Sequence, residues 1–203
     1  DHTMPSHQCP LLGDTMRFVG EEMALVVAET DAVAAEAAGL ITAEVEELPF
    51  VLDAEKALQE DAPRVWDTPL MGEQPLYYSR GDAEKALAES EITVHQTFRS
   101  QYQVHACLEV HCAVARWEDG RLTVWTSSQA VHPARQALAD VFGMPVSKVR
   151  VIGLYSGGGF GSKLWLNKSA ILAAWAAREL DRPVKVAYDR SQEAMSQGNR
   201  PAN

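Results

Sequence analysis

The sequence predicts an α+β fold, and three observations carry that expectation. From Glu91 onward short alternating or apolar runs dominate, and two of them flank Asp119-Gly120, the strongest short hairpin signal a sequence offers. Two stretches, 31–43 and 169–180, are rich in Ala and read as helices. Between a strand-like run and the second of these lies Tyr155-Ser-Gly-Gly-Gly-Phe-Gly-Ser-Lys163. Glycine costs chain entropy but lets another group come close to the main chain, so such a cluster marks a close approach.

Taken in order, Met23–Glu29 is strand-like by length and composition, and Thr30 and Asp31 are both capable N-caps for the helix that runs to about Ala43. Val45–Leu52 reads as a strand interrupted by Pro49, which makes the first third a compact α/β unit. From Asp53 to Arg80 charges, Pro63, Pro69, Gly72 and Pro75 punctuate the chain, which reads as a surface linker. Ile92–Phe98 and Val104–Trp117 read as strands, and the hairpin leads into Leu122–Thr126. Pro133 suits the first turn of a helix over 134–142 that ends at Gly143. Lys148–Tyr155 and Val184–Tyr188 complete the expected strands. The opening DHTMPSHQ has no initiator Met and the closing GNRPAN has no stop logic, so the chain is expected to be part of something longer.

Composition narrows the function. The 203 residues, 46% hydrophobic, suffice for one large or two small domains. With 18 basic and 28 acidic residues the formal charge is -10, which argues against nucleic acid or an anionic membrane as partner. No apolar run approaches the roughly 18 residues of a membrane helix, and no secretory signal opens the chain. Cys9, Cys107 and Cys112 lack CxxC spacing, which points to free thiols in a reducing compartment. A cytoplasmic location is expected, or a periplasmic one if a signal is carried elsewhere.

The glycine loop has several readings. A phosphate-binding P-loop needs Gly-Lys-Ser/Thr after four residues, but Ser162 and Leu164 occupy two of those positions. A dinucleotide fingerprint fits Gly157 and Gly159, with Asp189 available for a ribose hydroxyl, but Ser162 replaces the third glycine. A strand-to-helix turn without a ligand is the plain alternative. His105, Cys107, Glu109 and His111 share strand parity and are of metal-ligating type, but neighbours on one face lie about 6–7 Å apart. A polar face is the plainer reading. His132 reads as a histidine near a helix start. Arg135 is open between a phosphate contact and a solvated carboxylate partner.

Larger blocks add to this. Arg17-Phe-Val-Gly-Glu-Glu-Met-Ala-Leu-Val-Val-Ala-Glu-Thr30, His105-Ala-Cys-Leu-Glu109, the run Trp117-Glu-Asp-Gly-Arg-Leu-Thr-Val-Trp-Thr-Ser-Ser-Gln129, Ala130-Val-His-Pro-Ala-Arg135 and the glycine loop stand in one order. In that order and spacing the chain resembles the molybdenum-binding large subunit of the xanthine oxidase and aldehyde oxidase family. The resemblance implies the remainder of an α/β hammerhead domain over 1–54, a linker over 55–81, and the N-terminal part of a mixed-sheet molybdopterin-binding domain over 82–203. It implies a molybdenum–pterin cofactor, as molybdopterin or its dinucleotide form, and no direct protein ligand to the metal in this chain. Water supplies the oxygen in that family, the substrate is an aldehyde or an N-heteroaromatic ring, and electrons leave through iron–sulfur clusters and FAD on partner domains or subunits.

Residue by residue, the resemblance makes Gln129 the amide that donates to a molybdenum ligand, and Gly158, Gly159, Phe160 and Gly161 the loop beside the cofactor. Glu109 and Leu164 would line the substrate channel. Leu164 stands where purine-oxidising members carry a glutamate, which favours an aldehyde or a less polar ring over xanthine. The family's C-terminal general-base glutamate, its remaining pterin loops and its iron–sulfur cysteines have no counterpart in these residues. The expected partners are therefore the rest of the molybdenum subunit and the iron–sulfur and flavin subunits, and the isolated chain is expected to lack turnover. Two alternatives stand beside this reading: an acidic α/β binding or assembly module, and a dinucleotide-binding module that uses the 157–162 loop.

Overall fold

The computed structural model describes residues 11–66 and 78–201. Cys9 and the punctuated stretch 67–77 of the expected linker lie outside them. The described residues fall into two units. One comprises 11–42 together with 101–201, and the other 43–66 together with 78–100.

The larger unit holds the core. Its helix α1 (Asp31–Gly39) starts where the sequence placed it, with the Thr30 side chain accepting from Val33 N at 3.3 Å. Four strands, β1 (Cys112–Glu118), β2 (Arg121–Thr126), β3 (Val149–Ile152) and β4 (Val184–Ala187), form one sheet in the order β3-β2-β1-β4. β1 and β2 make the expected hairpin with Glu118 opposite Arg121, and Asp119 and Gly120 both take positive φ, 50° and 68°. β4 pairs with β1 antiparallel, and β3 with β2 parallel.

The parallel pair requires a crossover, supplied by α4 (Val131–Val141) and a 3-10 turn over Val146–Lys148. α5 (Lys168–Leu180) then carries the chain from β3 to β4. Both helices cover one sheet face. Leu122 and Val124 point inward, alternate with exposed Arg121 and Trp125, and meet Leu138 of α4 and the Ala residues of α5 in one cluster. Ala170, Ala173, Ala174, Ala176 and Ala177 are all buried, so the Ala-rich composition lets this helix lie close against the sheet. The Trp117 indole closes the cluster by donating to Ala174 O at 2.8 Å and meeting the Phe142 ring edge-on at 5.4 Å.

α6 (Arg190–Ser196) follows β4 and is opened by Asp189, whose carboxylate accepts from Gln192 N at 2.7 Å in a capping box. Asp189 is thus a helix cap. β3 and β4 also stand at opposite edges of the sheet, whereas a dinucleotide fingerprint needs the two strands that flank its helix to be neighbours.

Three expected strands do not form. Residues 23–29, 45–52 and 92–98 are not in a ladder among the described residues. A strand needs a hydrogen-bonding neighbour, and apolar composition alone does not provide one. Residues 23–29 are instead tethered at their ends, with Glu22 to Lys168 at 2.8 Å and Glu29 to Arg182. The expected long strand 104–117 is shortened to β1. Ala106 takes a positive φ of 47°, and the Arg190 guanidinium occupies the carbonyls of Cys107 and Leu108.

The smaller unit has two short helices, α2 (Ala54–Ala57) and α3 (Ala83–Ala88), capped by Asp53 and Asp82. None of its described residues is buried, and Phe50, Leu52, Ile92, Val94 and Phe98 are exposed. Among the described residues no helix is long and apolar enough to cross a membrane.

Because Leu138 is fully buried between α4 and the sheet, Leu138→Ala should destabilise the folded protein by about 2–5 kcal/mol. Denaturant unfolding of the complete protein measures this, and a loss below about 1 kcal/mol would place Leu138 outside the core.

Candidate functional site

The glycine loop lies between β3 and α5, and two side chains from neighbouring segments, before β1 and after β2, pin it. Glu109 approaches Gly157 as a strand neighbour would: its N–H donates to Gly157 O at 3.1 Å, and its Oε2 accepts from Gly157 N at 2.7 Å. A Cβ on residue 157 would stand 2.6 Å from the Glu109 Cβ. Gln129 does the same further along. Its Oε1 accepts from Gly161 N at 3.0 Å and from Lys163 N at 3.3 Å, and its main-chain N–H donates to Lys163 O at 2.8 Å.

Two donors on one end of the Gln129 amide identify that end as the oxygen, so the NH2 is turned the other way. A Cβ at Gly159 would overlap this amide. The glycines therefore have separate reasons: 157 and 159 for close approach, 158 and 161 for φ near +100°. Phe160 also takes a positive φ, 49°, with its ring exposed. Among the described residues the N–H groups of Gly158, Gly159 and Phe160 and the Gln129 NH2 meet no protein acceptor.

Lys163 closes the loop from beneath. It is fully buried, and its Nζ donates to Glu109 O at 3.0 Å and to Glu109 Oε2 at 2.9 Å. Burial pushes the Glu109 carboxyl up, but the Gly157 N–H, the Lys163 amine and the nearby Ser127 hydroxyl outweigh it, so the carboxyl is held below its ordinary value. Ser127 is buried and approaches this carboxylate without completing a hydrogen bond. Burial, and then the Glu109 charge, raise the Cys112 thiol, which favours its protonated form.

The four same-parity residues of the sequence reading part company here. Glu109 pairs with Lys163. His111 pairs with Glu193 of α6 at 2.9 Å, buried Cys107 has its Sγ 3.8 Å from Ser162 Oγ, and His105 lies beside Gly161. No cluster of three or more His, Cys, Asp or Glu among the described residues could hold a metal ion. His132 is exposed in the first turn of α4. Arg135 donates to Val146 O at 2.7 Å and Val149 O at 2.8 Å, which binds the crossover rather than a phosphate or a carboxylate. Leu164 is 43% exposed at the end of the loop, next to exposed Trp165. Sequence reasoning missed Lys163 as a buried anchor, as well as Arg190 and Glu193. The lysine was visible in the loop, but nothing local tied α6 to a segment 82 residues earlier.

A family model of the molybdopterin cofactor-binding domain matches residues 70–203. The chain belongs to the molybdenum-binding large subunits of the xanthine oxidase family. This is a family of molybdenum-dependent oxidoreductases. The chain is 36% identical over 192 residues to the aldehyde oxidoreductase molybdenum-binding subunit PaoC of Escherichia coli O157:H7, covering 94% of this chain and 25% of that one. It is 34% identical to the nicotinate dehydrogenase large molybdopterin subunit of Eubacterium barkeri, covering 90% of this chain and 43% of that protein. Among solved structures, quinoline 2-oxidoreductase from Pseudomonas putida 86 superposes with a TM-score of 0.79 at 33% identity, over 91% of this chain and 24% of its own. The chain thus spans 25% and 43% of the length of these two relatives and 24% of that structure's chain.

The residues present fit the cofactor of this family. Unpaired main-chain N–H groups at a loop with glycine-only close approach suit the oxygen-rich edge of a pterin cofactor or its metal ligands. A neutral amide with its carbonyl already occupied can only donate outward.

Glu109 yields a pH prediction. Its carboxyl is lower in the folded state than the ordinary value of 4.5, so ionised Glu109 stabilises the fold above that pH, and the contribution is lost as pH falls through the folded value. Thermal unfolding of the complete protein against pH should show this acid limb, and Glu109→Gln should flatten it. An unchanged limb would remove Glu109 from the anchor.

Proposed function

We propose that this chain forms part of the cofactor cradle of a molybdenum hydroxylase that oxidises an aldehyde or an N-heteroaromatic substrate. The observation that carries the reading is the Gln129 amide: its carbonyl is fixed by two loop N–H groups, and its NH2 and three further loop N–H groups meet no acceptor among the described residues. When bound, the molybdenum–pterin group supplies the two-electron redox chemistry and the water-derived oxygen. Gln129 would donate to an oxygen ligand of the metal without adding charge, which orients that ligand. Gly158, Gly159, Phe160 and Gly161 would follow the cofactor edge with their main chain, and the N–H groups of 158–160 would donate there.

Glu109 acts first as an anchor. Being held ionised by the Gly157 N–H and Lys163, it is poorly suited to take a proton from substrate, and its part in the channel would be to fix the loop and present a negative edge. Leu164 would offer an apolar wall. That supports an aldehyde or a weakly polar ring, as does the likeness to an aldehyde oxidoreductase and to a quinoline oxidoreductase. In this reading residues 82–203 begin the cofactor domain and 1–54 belong to a hammerhead domain. The remaining molybdenum subunit and the iron–sulfur and flavin carriers are its partners, in the cytoplasm or, with a signal carried elsewhere, the periplasm.

The test uses the complete protein with its partners. Molybdenum should copurify at about one atom per large subunit. Gln129→Ala should lower kcat on an aromatic aldehyde by about 10²–10³ with little change in unfolding temperature, as removal of one donor aimed at developing charge does. Unchanged turnover would remove Gln129 from the site, and a protein without molybdenum would overturn the reading as a whole.

A further inference from the structure

His111 has no exposed surface and lies directly beneath the glycine loop. Its Nδ1 stands 2.9 Å from both carboxylate oxygens of Glu193, and its Nε2 stands 3.2 Å from Ser162 O. Its main-chain N–H donates to Glu193 Oε2 at 2.7 Å. A carbonyl can only accept. With two protons shared between ring and carboxyl, every contact is a hydrogen bond, whether as imidazolium with carboxylate or as neutral ring with carboxylic acid. Nε2 carries a proton in both arrangements. A single proton on Nδ1 would instead set two lone pairs against each other in a buried place, which is costly.

The Ser162 carbonyl belongs to the same peptide group as the Lys163 N–H. That N–H donates to Gln129 Oε1 at 3.3 Å. One peptide plane therefore receives a hydrogen bond from His111 on one side and holds Gln129 on the other. Hydrogen bonds linked in this way polarise one another and fix the plane between them. We infer that His111, held by Glu193, is a positioning residue that orients the Gln129 amide through the Ser162–Lys163 peptide.

The inference rests on the proposed role of Gln129 for its consequence in catalysis, though the relay itself does not need the cofactor. A rival explanation exists within the same elements. α6 also grips the 107–111 segment directly, through Arg190 to the carbonyls of Cys107 and Leu108 and through Glu193 to the His111 N–H. The experiment must separate the ring from this grip.

Asparagine and glutamine do so. The amide nitrogen of Asn overlays ring Nδ1, so His111→Asn keeps Glu193 and loses Ser162. In Glu193→Gln the new NH2 donates to a neutral Nδ1, its carbonyl accepts the His111 N–H, and Nε2–H still reaches Ser162. Hydrogen exchange followed by mass spectrometry, on the complete protein as purified, reads the amides of 157–163 directly. We expect exchange at Gly161 and Lys163 to quicken about tenfold in His111→Asn and to stay near parental in Glu193→Gln. In the loaded enzyme, kcat on an aromatic aldehyde should fall in the first variant with KM unchanged, and neither should move in the second. Parental exchange in His111→Asn, or equal loosening in both variants, would overturn the relay in favour of the grip by α6. If His111→Asn does not fold, His111→Gln replaces it, because its amide nitrogen overlays Nε2. Parental exchange there supports the relay and loosening overturns it. A complete protein without molybdenum would sink the functional reading while the exchange data still judge the relay.

Discussion

A lysine with no exposed surface is tolerated inside a protein only beside acceptors, and Lys163 finds two of them on one residue, Glu109. The rest of the site follows from that pairing. Glu109 cannot reach Lys163 unless 157–163 folds back over it, and the loop cannot fold back unless residue 157 lacks a side chain. Once it has done so, Gly161 and Lys163 present their N–H groups to Gln129. The loop's shape is thus set by a buried lysine paired with a part-exposed carboxylate and by two glycine contacts. Its upper side is left with donors that meet no acceptor among the described residues. Removing Glu109 would strand the buried Lys163 charge, which ties this segment to the loop.

The sheet makes this geometry possible by bringing distant segments to one place. β2 ends at Thr126 and delivers Ser127 and Gln129, β3 ends at Ile152 and delivers the loop, and the segment before β1 delivers Glu109 and His111. β2 and β3 are neighbours and parallel, so their ends emerge on the same side. That is the general position of ligand sites in sheets with parallel strands, outside the carboxyl ends. The topology also decides against the dinucleotide alternative, since the strands on either side of α5 are separated by β2 and β1.

Much of this was legible in the residues. The Asp119-Gly120 turn fixed the hairpin, Thr30 marked a helix start, Gly143 marked the end of α4, and the glycine cluster announced a close approach. The blocks around Gln129 and Gly158–Gly161 pointed to the molybdenum family, and the match over 70–203 agrees. What escaped has a common cause. Strand pairing and α6 contacts depend on partners far along the chain, so the apolar runs at 45–52 and 92–98 looked like strands although no neighbour joins them among the described residues. The alternation from His105 to His111 looked like one face of a strand. Ala106 at positive φ and the Arg190 contacts break it, and send Glu109 and His111 to different partners.

In the proposed arrangement Gln129 presents its NH2 to the metal centre while the loop holds its carbonyl. Anomalous diffraction at the molybdenum edge, from crystals of the complete loaded enzyme, tests this most directly. The expected result is Gln129 Nε2 within about 3 Å of a ligand atom on the metal, with Oε1 still on Gly161 and Lys163. A metal centre whose ligands are met by other residues, with the Gln129 amide turned away or flipped, would contradict it.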